Sequence, residues 1–416
     1  MAAYQHFRSL FNGETVSLRL NNSKEVNCKF NINQLDIVVK LTSETVLHPN
    51  DNYEFTVNTT FNDGAINFAV LNENSSHLEY EGKLLSLDFS SDEFVCNKLV
   101  YQVKGLTVNP PYVEIDMSWE KQFNYKDNKY FIKFKVVGSV VEVLFSIKLI
   151  EKSEESKYIL NQVEEHLFVF FQGVSFCKSS QVEWVCKRYF NDLIETKFEF
   201  RHQSIKKIFS GTKNPFLKNE VYFLEFLRNV VESDITKENL IDTGVFQAIS
   251  NLCLSGDYNE WVLIKHAAAL EGLCKINDET NFRPSDYKKI KRPFVKYLKV
   301  HSESLCDSDP LKFQYQNLID NINDNERTLN GYPTKWYISK YFTDIGLSDY
   351  YQINKKNINK SIGVRNIIVH EGWSDKWDEK LINYISYLRN ALYKAILKYF
   401  KYTNDFYPFL ENETKK

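Results

Sequence analysis

The spacing of apolar residues changes near residue 150, and this change constrains the fold more than any other feature of the sequence. After it, apolar residues recur at steps of three and four, as on one face of a helix. Before it, short segments alternate between apolar and polar residues, which places one face of a strand on a core and the other in water. The alternating segments are residues 53–57, 65–70, 83–89, 112–117, 130–136 and 140–150. The sequence therefore predicts an α+β protein with its strands first.

The N-terminal segments are predicted to form an antiparallel β-sandwich or a barrel-like domain. Many short strands separated by turn signals are typical of these architectures. Asn62, Asp63 and Gly64 separate two alternating runs and predict a hairpin. We assign residues 1–150 to this β-rich domain, residues 151–245 to a mixed, mainly helical connector, and residues 246–416 to an all-α helical bundle.

The C-terminal part of the chain has helical periodicity over most of its length. A helical pattern begins near Lys157 and runs to Phe171, whereas residues 175–209 combine strand-like and helical pieces. Further helices are predicted over residues 219–233, 243–255, 258–276, 284–300, 311–327, 348–369 and 377–401.

Length and composition exclude several classes of protein. The 416 residues suffice for two or three domains, and 25% charged with 43% hydrophobic residues is ordinary for a globular protein. Seven cysteines without a C-x-x-C motif predict free thiols in a reducing compartment. The N-terminus lacks the apolar stretch of a signal peptide, and no apolar run reaches the roughly 18 residues of a membrane span. We therefore expect a cytoplasmic protein without a membrane partner.

One segment near the C-terminus combines residue types that suit the cleavage of RNA. It reads Arg365-Asn366-Ile-Ile-Val-His370. At 100° per residue, Asn366 and His370 lie on the same helical face, and Arg365 lies about 140° from His370. The three intervening apolar residues, Ile367 to Val369, are expected to fix the helix to the core and hold the polar pair at its edge.

These three side chains match the needs of a reaction in which RNA supplies its own nucleophile, the 2′-hydroxyl. Arg365 offers a permanent charge and a planar fork for a phosphate. His370 titrates near neutral pH and suits a general base or acid. Asn366 is expected to orient one of them. No metal-ligand set is visible in the sequence, so neither a metal nor a cofactor is predicted.

The motif resembles the signature of the HEPN superfamily, in which Arg is followed by four to six residues and then His, often with Asn after the Arg. As in that family, the motif precedes the last long helix, and residues 261–274 look like the first long helix of such a domain. The resemblance covers about residues 255–405. A β-rich N-terminal region joined to such a domain looks like the ApeA-type proteins of bacterial anti-phage defence.

The resemblance implies a metal-independent endoribonuclease that works as a homodimer. Arg and His from two protomers would line one shared cleft. The physiological role it implies is that of an anti-phage or abortive-infection effector. In that role the N-terminal β region would sense a phage-derived or other trigger, or would hold the nuclease inactive.

Several residues near the motif are candidate substrate contacts. Lys355, Lys356 and Lys360 lie one to three helical turns before Arg365, and a cationic track suits the backbone of a single RNA strand. Trp373 follows His370 and would either stack on a base or fill the core. Two other side chains are candidates for the site. Glu271 either approaches Arg365 or is solvated, and His266 is expected to be packed or partly exposed.

An alternative function needs no chemistry. In it, the β domain recognises a protein or a carbohydrate-like ligand, and the helical domain dimerises or binds nucleotide or RNA without cleaving it. The two functions predict different surroundings for the motif: an enzyme requires Arg365 and His370 to line an open cleft, whereas a structural pair is buried in hydrogen bonds inside one protomer.

Overall fold

The computed structural model describes most of the chain. The described residues are 2–19, 25–33, 36–43, 54–61, 64–76, 78–91, 95–104, 115–150, 153–201, 220–253, 259–274, 284–307, 309–324, 334–371 and 378–403. Strands dominate as far as residue 201 and helices dominate after it. The protein is therefore an α+β protein with its strands first, as predicted.

Twelve strands of the described residues form one antiparallel hydrogen-bonded sheet. They are β1 Val16–Arg19, β2 Glu25–Asn33, β3 Asp36–Ser43, β4 Glu54–Phe61, β5 Gly64–Ser76, β6 Glu79–Ser91, β7 Val95–Lys104, β8 Asp116–Tyr125, β9 Asn128–Val137, β10 Val140–Ile150, β11 Glu183–Asn191 and β12 Ile194–Arg201. The main path runs β1-β2-β3-β6-β12-β11-β7-β10-β9-β8, and β5 joins β4 to β6.

Most of the alternating segments lie on strands. Five of them fall on β4, β5, β6, β9 and β10, and the described part of the sixth reaches into β8. β4 and β5 pair with Phe61 opposite Gly64, which confirms the predicted hairpin, although its turn residues 62–63 lie outside the described residues. The predicted segments did not include β1, β2, β3 or β7.

The strand β6 is the branch point of the sheet. Its whole length pairs with β5 on one side. On the other side, β3 pairs along residues 79–83 and β12 along residues 86–90. β11 then pairs with both β12 and β7. Two strands from the segment predicted as a connector are thus central strands of the sheet.

Helices occupy most of the remaining described residues. They are α1 Ala2–Phe11, α2 Glu154–Lys178, α3 Glu220–Glu232, α4 Lys237–Asp242, α5 Val245–Cys253, α6 Asn259–Leu273, α7 Pro284–Glu303, α8 Pro310–Asp324, α9 Thr334–Asp344, α10 Ser348–Glu371 and α11 Asp378–Tyr399. The predicted helices agree within a few residues, whereas α1, α4 and α9 were not predicted. Contacts divide the chain into two compact units, residues 1–240 with 252–255 and residues 241–251 with 256–416.

The helix α1 forms part of the core of the first unit, in a region that the sequence predicted to be strands. Ala3, Phe7 and Leu10 are buried and follow the three- and four-residue spacing of one helical face. The Phe7 ring stacks on Phe89 of β6 at 4.8 Å and contacts Phe198 of β12 at 4.9 Å. This packing buries the apolar face of a helix that is too short to be stable alone.

The helix α2 covers another part of the sheet. It begins after Ser153, whose side chain accepts a hydrogen bond from the Ser156 N–H, and it ends at Ser179 in the left-handed conformation. On its buried face, His166 Nε2 accepts a hydrogen bond of 2.9 Å from Trp119 Nε1. The Phe134 ring stacks on Trp119 at 5.1 Å. Burial, and to a lesser extent the nearby Lys121, lowers the pKa of His166 to about 4.

The neutral His166 makes the first unit sensitive to acid. The pKa of this group is about 6.5 in an unfolded chain and about 4 in the folded protein. Between these values the unfolded chain binds a proton that the folded protein does not, so stability is fully present above about pH 6.5 and falls as the pH drops through about 4. The His166→Gln variant keeps an acceptor for Trp119 and does not titrate.

We expect wild type to lose up to about 1.4 kcal/mol more unfolding free energy per pH unit than His166→Gln does across this range. Urea unfolding at pH 7, 6 and 5 measures the difference. Parallel pH dependences in the two proteins would contradict the role of His166.

In the second unit, α6, α10 and α11 pack against one another, and α9 joins α6 and α10. α7 and α8 form a hairpin whose apolar contacts centre on Leu298, Ile319 and Ile322. None of the described helices combines the length and apolar character needed to cross a membrane. All seven cysteines are free thiols, and Cys306 alone among them is exposed.

Candidate functional site

The motif lies in the last two turns of α10, where the helix has a buried side and a solvent side. Ile362, Val364 and Ile368 are buried and attach this part of the helix to the bundle. Val369, in contrast, is 51% exposed, so the expectation that all three apolar residues of the motif anchor the helix is wrong for Val369. Asn366 and His370 are both exposed, one turn apart, as the spacing predicted.

Arg365 is held in place by two neighbours. Its Nη2 group forms an ion pair with the carboxylate of Glu271 on α6. Its Nη1 group donates a hydrogen bond of 2.9 Å to Asn366 Oδ1. The side chains of Arg365 and Glu271 are only 18% and 22% exposed. The sequence left open whether Glu271 approaches Arg365, and the structure places the two in contact.

Asn366 contacts the arginine of the motif. Its amide oxygen accepts the Arg365 hydrogen bond, although adjacent helical residues do not normally face each other. Asn366 therefore orients Arg365, one of the two alternatives that the sequence allowed. His370 forms no hydrogen bond with any residue in the described part of the chain, and its ring is open to solvent.

The Arg365 guanidinium retains unused hydrogen-bonding capacity. Nε is buried and makes no hydrogen bond to the described residues. Of the five N–H groups of an arginine, one is used by Glu271 and one by Asn366. A buried donor without a partner is unusual in a folded protein and is a common property of sites that bind an anion or a water.

The three predicted substrate lysines lie on α10 and are exposed. Lys355 is about 20° from Asn366 around the helix and about 16 Å before it along the axis. Lys360 turns toward α11, where its ammonium lies 5.8 Å from the centre of the Tyr384 ring. Lys355 and Lys356 therefore extend the motif face of α10, whereas the ammonium of Lys360 is directed toward the next helix.

Trp373 lies outside the described residues. The prediction that Trp373 contacts the substrate therefore stays a prediction. His266, the other histidine considered for this region, is buried in α6, in agreement with the expectation of a packed side chain. Burial, and to a lesser extent the nearby Arg389, lowers its pKa to about 3, so His266 is neutral at physiological pH.

We predict that Glu271 and Arg365 are energetically coupled. Replacing either by glutamine leaves a partly buried charge without its partner, which should lower the unfolding free energy by about 1–3 kcal/mol. The double variant should lose less than the sum of the two single losses. Urea unfolding of the four proteins measures the coupling.

The matched control is Lys289→Gln, which removes the exposed ion pair between Lys289 and Asp286. It should change stability little because such surface pairs contribute little. Additive effects of Glu271→Gln and Arg365→Gln would show that their contact does not hold the two helices together.

The geometry defines a candidate site of a fixed arginine, an asparagine that orients it and an accessible histidine. Comparison of the chain with protein-family models, with curated proteins and with solved structures found no match to any of them.

Proposed function

We propose that the protein is a metal-independent endoribonuclease with Arg365, Asn366 and His370 as its catalytic residues. The observation that supports this is the contrast between two side chains five positions apart on α10: Arg365 is fixed by Glu271 and Asn366, while His370 is exposed. A fixed cation suits the charge of a phosphate, and an accessible imidazole suits proton transfer.

The reaction we propose uses the 2′-hydroxyl of the RNA. His370 removes its proton, and the 2′-oxygen attacks the neighbouring phosphorus. The bond from phosphorus to the 5′-oxygen breaks, and that oxygen takes up a proton. The products are a 2′,3′-cyclic phosphate and a 5′-hydroxyl. Arg365 directs its remaining N–H groups at the phosphate and offsets the charge that develops there.

We further propose that the site is completed in a homodimer. One imidazole cannot remove a proton and supply another at the same moment, so a second His370 from another copy of the chain would serve the leaving group. One exposed apolar side chain on each of α10 and α11 supports a second copy: Val369 in the motif is 51% exposed and Ile382 at the start of α11 is 59% exposed. Burying such residues is favourable.

The wider proposal is a HEPN-like bundle acting on cytoplasmic RNA in anti-phage defence, with the β region as a sensor of a phage-derived or other trigger. The packing of α6, α10 and α11 supports the bundle. For the N-terminal part we propose a barrel-like form. The sequence of pairings β1-β2-β3-β6-β5-β4 supports it, because β1 also approaches β4.

A second candidate function is a non-catalytic protein that binds RNA or nucleotide through the helical unit. The contact between Arg365 and Glu271 favours it, because the carboxylate already partners one side of the guanidinium. In this case the exposed lysines Lys355 and Lys356 would bind an RNA backbone, and His370 would have no chemical task.

The test is incubation of the purified full-length protein with single-stranded RNA in EDTA. We expect cleavage with 2′,3′-cyclic phosphate ends and no cleavage of a 2′-O-methyl substrate, which lacks the nucleophile. A sizing measurement in the same buffer should give a dimer. RNA binding without any cleavage would favour the second candidate, and cleavage of the 2′-O-methyl substrate would contradict the proposed chemistry.

A further inference from the structure

A cavity of about 360 Å³ lies in the first unit, where α2 crosses the sheet. This volume is in the range of small-molecule sites. Its walls include two buried apolar side chains of α2, Leu167 and Phe171. The remaining lining residues come from β7, β11, β12, α2 and α4, and none of them belongs to the ribonuclease motif.

The inner end of the cavity carries a polar group without a partner. Tyr101 lines the cavity and is 1% exposed. Its hydroxyl is buried and makes no hydrogen bond to the described residues. A buried hydroxyl that is left unpaired destabilises a protein, and most such groups in folded proteins have a partner. Because Tyr101 is one of the residues that line the cavity, an atom of a bound ligand is a candidate partner for this hydroxyl.

The neighbouring charges do not use the Tyr101 hydroxyl. Lys187 is buried and lies 5.7 Å from the centre of the Tyr101 ring. Its ammonium forms an ion pair with Glu164 and another, of 3.7 Å, with Glu199. Tyr189 donates its hydroxyl proton to Glu199 as well. This network satisfies its own charges without the Tyr101 hydroxyl, which stays unpaired among the described residues.

The mouth of the cavity combines aromatic rings with cations. Arg201 lies over the Trp184 ring at 4.5 Å from its centre, and Lys237 lies over Phe168 at 5.2 Å. Both cations are exposed, whereas the two rings are half-buried. A ligand that enters here meets positive charge at the surface and flat apolar surfaces below it.

Carboxylates form a third part of the wall. Glu164 and Glu165 on α2 both line the cavity, beside Asn161. Carboxylate oxygens only accept hydrogen bonds at neutral pH, so they select ligand groups that donate, such as hydroxyls or amino groups. Paired sugar hydroxyls are typical donors to an acidic side chain in nucleotide sites.

We propose that this cavity binds a free nucleoside monophosphate. The base lies between the Trp184 and Phe168 rings and meets the Tyr101 hydroxyl with a polar edge atom. The ribose hydroxyls donate to Glu164 and Glu165. The phosphate lies at the mouth between Arg201 and Lys237, where it forms charge-assisted hydrogen bonds. This assignment uses every kind of polar group in the lining and is independent of the proposed nuclease activity.

The experiment is calorimetric titration of the full-length protein with AMP, GMP, CMP and UMP. Adenosine or guanosine, inorganic phosphate and an RNA tetranucleotide serve as partial or alternative ligands. At least one monophosphate should bind at least tenfold more tightly than its nucleoside or than phosphate alone. Tighter binding of the tetranucleotide, equal binding of phosphate alone, or no binding at millimolar concentration would overturn the proposal.

Variants place the binding in this cavity. Arg201→Gln and Tyr101→Phe should each weaken binding about tenfold or more. Tyr101→Phe should leave the melting temperature of the free protein unchanged or higher, because its hydroxyl has no partner to lose. Lys133→Gln, an exposed position on β9, is the control and should leave affinity unchanged, whereas Arg365→Gln reports any binding at the motif instead. Affinity that depends on Arg365 and not on Arg201 would overturn this site.

Discussion

RNA cleavage by the His370→Ala variant is expected to be about 10²–10⁴-fold slower than cleavage by the wild type. The magnitude follows from the loss of one positioned group for proton transfer. His370 is exposed and makes no hydrogen bond to the described residues, so its removal should leave the fold intact. Initial rates on a fluorescent single-stranded RNA in EDTA measure the effect, and circular dichroism checks the helix content.

The matched control is His301→Ala. His301 is also an exposed histidine of the helical unit, near the end of α7, and it is outside the motif. Its removal should change the rate less than twofold. Equal rates for wild type and His370→Ala would remove His370 from the chemistry and with it the mechanism proposed above.

The Gly82→Ala variant is expected to lose about 3 kcal/mol or more of unfolding free energy, the upper part of the range for overpacking. Gly82 lies on β6 where its pairing with β5 shifts register. A Cβ atom at this position would lie 1.9 Å from the backbone oxygen of Leu71 and 2.8 Å from its carbonyl carbon. Because these are backbone atoms, β5 must move away from β6 to make room.

Denaturation in urea measures this loss, with Gly138→Ala, in the turn between β9 and β10, as the control. At Gly138, in contrast to Gly82, an added Cβ atom would have no neighbour within 4 Å. Its φ of +58° adds conformational strain of about 1–2 kcal/mol for alanine, without a clash. If Gly82→Ala proves no less stable than Gly138→Ala, the close approach of β5 to β6 is not maintained in solution.

Local patterns in the sequence located most elements but not their arrangement. Alternation predicts β9 and β10 because buried residues alternate with more exposed ones along most of both strands. In β2 the buried Val26, Cys28 and Phe30 also alternate with polar residues. Several of these polar residues are asparagines, which are depleted in strands, so the segment did not stand out as a strand. The burial of α1 and the pairing of β12 with β6 depend on contacts between distant segments, which no local pattern encodes.

In the candidate site too, the sequence predicts what depends on local spacing and misses what depends on distant contacts. Helical spacing places Asn366 and His370 on one face, and the structure agrees. The partner of Arg365 lies 94 residues earlier in the chain, so the spacing alone could only allow the contact with Glu271. The contact with Asn366 uses the other terminal nitrogen of the same guanidinium, and the helical spacing did not predict it.

The central place of β11 and β12 in the sheet has a consequence for the newly made chain. The ribosome makes the N-terminus first, so β6 and β7 are synthesised before their partners β12 and β11. The edges of β6 and β7 that pair with these strands stay unpaired until residues 183–201 have been made. Unpaired strand edges readily join to other chains. A fragment that stops at residue 150 would keep this exposed gap permanently, so we expect it to aggregate, and a fragment that includes β12 to stay in solution.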